Sequence, residues 1–196
     1  NYDTDVFTPI IAKIAELSGV PYNDGEAGTP HRVIADHIRA ISFAIADGAL
    51  PSNEGRGYVL RRILRRASRF ARLLGQKEAF IYKLVQVLAD TMGDAFPEIR
   101  ERKEFVASVI KSEEESFIRT LDAGLERFAA ISADLKKGDK IPGDKVFLLY
   151  DTYGFPPDLT GILAEEKGLL IDEEGYEKCM EEQKARARAN MKQGIN

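Results

Sequence analysis

Seven arginines between residues 56 and 72 are the side chains of this sequence best suited to bind a ligand. They are Arg56, Arg61, Arg62, Arg65, Arg66, Arg69 and Arg72. On an α-helix the last six fall within an arc of about 140°, and apolar residues fill the opposite side. No acidic residue lies between Glu54 and Glu78 to neutralise them. Because a guanidinium binds phosphate through paired N–H donors, this face predicts a contact with the phosphates of a nucleic acid.

Two short stretches place polar side chains in unusual positions. Ser-Asn-Glu-Gly-Arg-Gly, residues 52–57, carries Asn53 in a glycine-rich turn, and its amide can both donate and accept. Leu-Tyr-Asp-Thr-Tyr-Gly-Phe-Pro-Pro-Asp-Leu-Thr, residues 149–160, carries Asp151 near a predicted helix C-terminus, where the dipole disfavours a carboxylate. Both residues are binding candidates. Each also has a structural interpretation, because Asn and Asp often cap helices or stabilise turns.

The elements that position these residues are predicted to be helices. Apolar residues recur at helical spacing, and no useful strand or repeat is seen. Three helices end at Gly19, Gly48 and Gly75, the second with Thr29 as its N-cap. Others cover about 77–92, 98–135 with a candidate break at Gly124, 144–152, 157–167, and 172–192 with Asp172 as the cap. The fold class is therefore all-α: a helical bundle, residues 1–138, with a smaller helical subdomain, residues 139–196.

Charge is distributed unevenly along the chain. The formal net charge of the 196 residues is −4, which argues against a general nucleic-acid binder. Residues 30–75 nevertheless carry nine arginines and only three acidic residues, whereas 1–29 and 76–196 are net acidic. A basic block within an acidic protein indicates one directed binding surface.

No catalytic or metal-binding residue is assigned from the sequence. Cys179, His31 and His37 are the only cysteine and histidines, too few for a structural zinc site, and no nucleophile stands beside a base. A single cysteine excludes an intrachain disulfide and favours a reducing compartment. No apolar run has the length of a membrane span. The sequence opens without Met or a signal leader, so we expect a fragment of a longer protein.

Three motifs, in this order, closely resemble the tRNA-recognising helical region of alanyl-tRNA synthetases. The first is His-Arg-Val-Ile-Ala-Asp-His-Ile-Arg, residues 31–39, and the others are residues 50–66 and 150–160. The opening residues 1–7 are similar to the segment that follows the third class II motif in that family. The resemblance covers essentially the whole chain.

The resemblance implies a role in tRNA selection. Enzymes of that family join alanine to tRNA and select the tRNA by a G·U wobble pair in its acceptor stem. In the family one Asn and one Asp reach this pair, and these roles carry over to Asn53 and Asp151. The guanine of a wobble pair presents its amine in the shallow minor groove, where an Asn or Asp oxygen can accept from it. The seven arginines would then hold the RNA backbone.

The resemblance also implies what this helical chain leaves to the parent enzyme, an alanine–tRNA ligase. The family's adenylation sheet and its zinc-containing editing domain have no counterpart here. ATP, Mg²⁺ and Zn²⁺ are therefore expected in the parent and no cofactor in this fragment. The expected partners are the acceptor stem of tRNA(Ala) and the catalytic and editing domains of the parent chain, with no membrane, in the cytoplasm.

Two other interpretations remain at the level of sequence. The arginine face of a non-enzymatic helical adaptor would bind an acidic protein partner. Alternatively, the arginines would pair within the chain with an acidic helix such as Glu113-Glu114-Glu115. His31 and His37, on the helix of Ile34 and Ile38, are expected to be structural or to face phosphate. Nothing in the sequence favours an enzyme within these 196 residues.

Overall fold

The computed structural model describes residues 2–193, with side chains as far as 190, and is almost entirely helical there. The helices are α1 (Thr8–Ser18), α2 (Thr29–Ala46), α3 (Gly55–Leu73), α4 (Val85–Met92), α5 (Pro97–Glu101), α6 (Lys103–Ser132), α7 (Gly143–Tyr153), α8 (Pro157–Glu166) and α9 (Glu173–Gln193). The two-residue strands β1 (Lys140–Ile141) and β2 (Leu170–Ile171) pair in parallel. The all-α expectation is confirmed. Asn1 of the opening motif and residues 194–196 of the predicted subdomain lie outside the described residues.

Glycines with positive φ follow the first three helices, as the sequence predicts. Gly19 (φ 72°) ends α1, and Gly48 (φ 95°) and Gly75 (φ 80°) lie just beyond α2 and α3. Only glycine adopts this conformation without steric cost. The start of α2 differs slightly from the prediction. Thr29 is already its first helical residue and makes no side-chain cap, so the predicted N-cap is wrong by one residue.

The apolar stripes of the first helices share one core. Its fully buried members include Ile10, Ile14, Ile34, Ile38, Ile41 and Leu64. The stripes of α2 and α3 face each other, and α1 packs against α2. Burial of these stripes, rather than helix propensity alone, holds α3 in a fixed rotation about its own axis.

A buried carboxylate explains why residues 77–92 do not form a single helix. They form a 3₁₀ turn, Ile81–Leu84, followed by α4. The carboxylate of Glu114, on α6, accepts hydrogen bonds from the backbone N–H groups of Phe80, Ile81 and Tyr82, at 2.8–3.0 Å. These groups have no partner within the turn, so Glu114 caps it in the way a side chain caps a helix.

The long helix predicted for 98–135 is interrupted at a different place from the one expected. Arg102 separates α5 from α6, and α6 then continues without a break through Gly124. This glycine has a packing reason instead. A Cβ at Gly124 would overlap the ring of Phe155 and lie 3.1 Å from Cβ of Tyr153. Glycine thus allows the Tyr-Gly-Phe segment at the end of α7 to lie directly against α6.

Contacts divide the chain into two compact units, residues 1–119 and 120–196, so that α6 contributes to both. The domain boundary predicted at 138/139 stays a prediction for independently folding domains. In the second unit β1 pairs with β2 in the register Lys140–Leu170. The backbones of Gly143 and Gly175 touch where α7 meets α9. Asp172 accepts a hydrogen bond from the N–H of Gly175 at 3.1 Å, so its predicted capping role is confirmed.

Candidate nucleic-acid interface

The apolar side of α3 is buried, as the helical spacing predicts. Leu60, Leu64 and Ala67 lie in the core, and Phe70 and Ala71 continue the same stripe. This stripe packs along α2. The arginines are consequently confined to the remaining sides of the helix.

The seven arginines differ in exposure, so the phosphate contact predicted for the charged face does not apply to all of them alike. Arg56, in the first turn, is exposed, whereas Arg69 is only 7% exposed. The others are half-buried: Arg61, Arg62, Arg65, Arg66 and Arg72. The guanidinium of Arg69 lies 5.7 Å from the ring centroid of Phe70. Helical spacing places charges on one face but does not show which part of that face neighbouring elements cover.

Arg61 and Arg65 form ion pairs with Glu113 of α6. Arg65 Nε and Nη2 donate to Glu113 Oε1 at 3.0 and 2.9 Å, and Arg61 Nη2 donates to Glu113 Oε2 at 3.2 Å. The side chain of Glu113 is 9% exposed. The intramolecular alternative is therefore confirmed for these two arginines. Their donors are directed at a carboxylate of the same chain in a site with little solvent.

Asn53 is exposed and lies beside Arg61. Nη1 of Arg61 donates a hydrogen bond to Oδ1 of the Asn53 amide. Together with the Glu113 pairs, this contact makes a continuous chain of hydrogen bonds from Asn53 through Arg61 and Glu113 to Arg65. The binding candidate Asn53 is thus connected to α6 through one guanidinium.

The turn that carries Asn53 folds back onto the first turn of α3. Ser52 Oγ donates to the carbonyl of Glu54 at 2.9 Å. Gly57 is buried beneath the turn, and a Cβ there would overlap Ser52 Oγ and the Leu50 carbonyl. Since only glycine permits this approach, the Gly-rich sequence is explained by the packing of the turn. The helix itself begins two residues before Gly57, at Gly55.

The two histidines lie in different surroundings, and His37 is the one near an arginine of α3. Burial, and then the nearby Arg66, lower the pKa of His37 below its ordinary value of 6.5, although Asp36 opposes them. His31 is fully buried, with Nε2 2.9 Å from the carbonyl oxygen of Val20. His31 is therefore structural, as one of the two expectations had it.

Asp151 lies in the last turn of α7, in the second unit, and is exposed. Its Oδ1 accepts a hydrogen bond from Nε2 of Gln183, on α9, at 2.6 Å. The preceding residue, Tyr150, packs edge-on against Tyr176 of α9, with 5.9 Å between ring centroids. A neutral donor thus orients Asp151, and no local pattern of residues indicates this pairing.

The motif around Asp151 is anchored on the C-terminal half of α6. Thr120 Oγ1 donates to the carbonyl of Tyr153 at 2.8 Å. Phe155 is fully buried and lies against Gly124. Gly154 (φ 71°) ends α7 in the left-handed conformation that glycine adopts readily at a helix C-terminus. Thr120 was missed in the sequence, because a lone threonine on a predicted helix has no pattern that marks it.

The described residues form neither a metal-binding cluster nor a membrane-spanning helix. From 2 to 193, no three His, Cys, Asp or Glu side chains are grouped so as to hold a metal ion. In the same part of the chain, no helix combines the length and apolar character that crossing a membrane requires. The arginine helix, which is α3 with its seven arginines, and the polar residues Asn53 and Asp151 are therefore the features that can support a function.

Known proteins similar to this chain decide its family. A family model described as tRNA synthetases class II (A) matches residues 1–196. The chain belongs to this family. Alanine–tRNA ligase of Chlorobium luteolum is 54% identical, over 98% of this chain and 22% of the relative. Alanine–tRNA ligase of Streptococcus mutans is 51% identical, over 99% of this chain and 22% of the relative.

The family agrees with the resemblance of the three motifs. The chain spans about a fifth of the length of these relatives, since the matched share of each is 22%. Four-fifths of such a ligase thus have no counterpart in the 196 residues.

Proposed function

We propose that this chain is the part of an alanine–tRNA ligase that binds the acceptor stem of tRNA(Ala) and reads its G·U wobble pair. The observation that carries the proposal is an exposed Asn53, held by Arg61, at the start of the arginine helix. Membership of a tRNA synthetase family supports tRNA as the ligand. The names of the relatives support alanine as the amino acid.

In the proposed site, arginines of α3 bind phosphates of the RNA, and Asn53 and Asp151 select the base pair. Exposure favours Arg56 as a phosphate contact, and the half-buried Arg62, Arg66 and Arg72 are the further candidates on the same helix. Asn53 and Asp151 read the wobble pair from the turn and from α7, and both are exposed. Contacts to phosphate fix the register of a protein on a duplex, whereas contacts to base edges select the sequence.

The remainder of the reaction belongs to the parent enzyme in this proposal. Alanine activation with ATP and Mg²⁺, and Zn²⁺-dependent editing, take place in catalytic and editing domains of the same parent chain. No catalytic residue is assigned to these 196 residues, and no donor set among those described fits a metal. The parent would act in the cytoplasm, where aminoacyl-tRNA is used.

Two variants test the reading of the wobble pair. Asn53→Ala and Asp151→Ala should each reduce the preference for a G·U stem over a matched G·C stem by about tenfold, since each removes one base contact. Affinities for the two RNA hairpins would be measured by fluorescence anisotropy at fixed salt. Equal affinity of the unchanged chain for both stems would overturn the base-reading roles.

A charge reversal at Arg56 tests the phosphate contacts separately. Arg56→Glu should weaken binding to both stems alike and lower the slope of log K against log salt by about 1. Arg100→Ala, which removes an exposed guanidinium on α5, serves as the control and should leave the slope unchanged. Binding of an acidic helical peptide without binding of either RNA would favour the adaptor interpretation instead.

A further inference from the structure

Arg61 is placed to act on Asn53 rather than on a phosphate. Its Nη1 donates to Asn53 Oδ1, its Nη2 donates to Glu113 Oε2 at 3.2 Å, and its Nε lies 2.9 Å from Glu113 Oε1. Both terminal nitrogens of the guanidinium therefore donate to oxygens of the protein, whereas Nε lies close to the carboxylate without forming a hydrogen bond. The fork that would grip a phosphate from solvent is directed inward instead.

Glu113 is a rigid anchor for this guanidinium. The whole residue Glu113 is 8% exposed. Arg65 donates two hydrogen bonds of 2.9 and 3.0 Å to the same carboxylate. Arg65 in turn lies over the ring of Phe117, 5.2 Å from its centroid. Charge-assisted hydrogen bonds with little solvent access are shorter and stronger than those in water. The position of Arg61 is thus set by α6.

The contact with Arg61 determines which end of the Asn53 amide is available. A guanidinium has donors and no acceptor, so only Oδ1 can face it, and the donor group Nδ2 must lie on the other side. In a shallow minor groove the guanine amine is a donor and the pyrimidine O2 an acceptor. A fixed amide can donate to that O2 through Nδ2 and accept from the amine through the second lone pair of Oδ1.

We propose that Arg61, anchored by Glu113, is a positioning residue that fixes the amide of Asn53 for reading the wobble pair. This inference rests on the proposed function. It removes Arg61 from the expected phosphate contacts and gives the buried carboxylate of Glu113 a role in RNA specificity. An exposed amide that is already oriented loses less conformational freedom on binding, so its contacts discriminate more strongly.

Two substitutions of the positioning pair test the proposal in the 196-residue chain. Glu113→Gln keeps the size of the side chain but turns an amide donor toward the arginines. Arg61→Ala removes the link to Asn53. Glu115→Gln is the matched control, because Glu115 is exposed on the same helix. Its Oε1 lies 3.7 Å from Nζ of Lys111. Thermal unfolding of each variant shows that it remains folded.

Glu113→Gln and Arg61→Ala should each reduce the preference for the G·U stem about fivefold, whereas Glu115→Gln should not. In an Asn53→Ala background, Glu113→Gln and Arg61→Ala should not reduce the preference for the G·U stem further, since their effect passes through Asn53. The salt slope of Arg61→Ala should equal that of the unchanged chain. A slope lower by about 0.9, with equal weakening of both stems, would make Arg61 a phosphate contact and overturn the proposal.

A measurement without RNA separates this inference from the proposed function. The Nδ2 proton resonances of Asn53 in the free chain should shift in Glu113→Gln and stay in place in Glu115→Gln. Resonances that are unchanged in Glu113→Gln would overturn the positioning role whatever the RNA result. A shift in Glu113→Gln together with equal affinity of the unchanged chain for both stems would instead overturn the proposed function alone.

Discussion

At the scale of single residues, the neighbours of a charged group decide its role. Arg56 and Arg69 carry the same guanidinium on the same helix, yet one is exposed and the other is 7% exposed. Glu113 and Glu114 are adjacent in sequence and both buried. The first faces two arginines, and the second faces three backbone N–H groups. The role of each charged residue therefore follows from the groups that its side chain contacts.

Glu114 should make stability depend on pH. Burial raises the pKa of Glu114 from 4.5 to about 7, although the three backbone N–H groups oppose this shift. Between these two values the folded state binds the proton and the unfolded state does not. The contribution of protonated Glu114 to the free energy of unfolding is therefore fully present below pH 4.5 and is lost as the pH rises through 7. The loss amounts to up to about 3 kcal/mol.

Glu114→Gln provides the comparison for this prediction. At pH 5 it should lower the free energy of unfolding by about 1–3 kcal/mol, because its NH₂ group would face a backbone N–H donor. The difference from the unchanged chain should narrow toward pH 7 in urea unfolding experiments. A difference that widens with pH would mean that the N–H groups outweigh burial. Glu104→Gln, which changes an exposed carboxylate elsewhere on α6, should show no such trend.

At the scale of elements, the turn before α3 and the helix behave as one unit. The buried Gly57 lets the turn lie on the helix, and Asn53 is consequently presented beside Arg61. In the second unit α9 plays the corresponding part for α7, since Gln183 holds Asp151. Asn53 is thus held by the helix that directly follows its turn, and Asp151 by a helix distant in sequence.

Gly57→Ala should separate the turn from the helix. The added Cβ would overlap Ser52 Oγ and the Leu50 carbonyl, so we expect a loss of about 1–3 kcal/mol in stability and of the preference for the G·U stem. Calorimetry and hairpin binding measure the two effects. Gly161→Ala in α8 is the control, because its Cβ would meet only Ile171 Cδ1 at 3.8 Å and alanine favours the helix. A Gly57→Ala chain that retains both properties would refute the packing argument.

At the scale of the whole molecule, the chain combines a basic surface with a net charge of −4. Nine arginines fall in residues 30–75, and the segments on either side are acidic. Such a distribution directs a polyanion to one surface and disfavours binding elsewhere. It is compatible with the proposed recognition role, and the chain spans 22% of the length of the Chlorobium luteolum relative.

The 196-residue chain should be inactive in alanine-dependent exchange of pyrophosphate into ATP. Its described part is helical, and the family's adenylation sheet is expected outside it. Radiolabelled exchange would be measured beside the full-length alanine–tRNA ligase of Chlorobium luteolum as the positive control. Exchange activity above that of a heat-denatured sample would show that our assignment of this chain to recognition alone is wrong.

The sequence by itself determined the local features of this protein. Helical spacing, glycines at helix ends and the separation of charge from apolar residues on α3 were all predicted and then found. They depend on residues a few positions apart, whose geometry a helix dictates. The roles of Asn53 and Asp151 followed from a resemblance between motifs, and they stay predictions.

Only the tertiary structure decided which charged groups are available and how the candidate readers are held. Glu113 is 52 residues from Arg61, and Gln183 is 32 residues from Asp151. The late start of the helix after residue 77 likewise depends on a distant group, the carboxylate of Glu114. Contacts between distant segments form only when several apolar faces are buried together, and no local spacing encodes which side chains then meet.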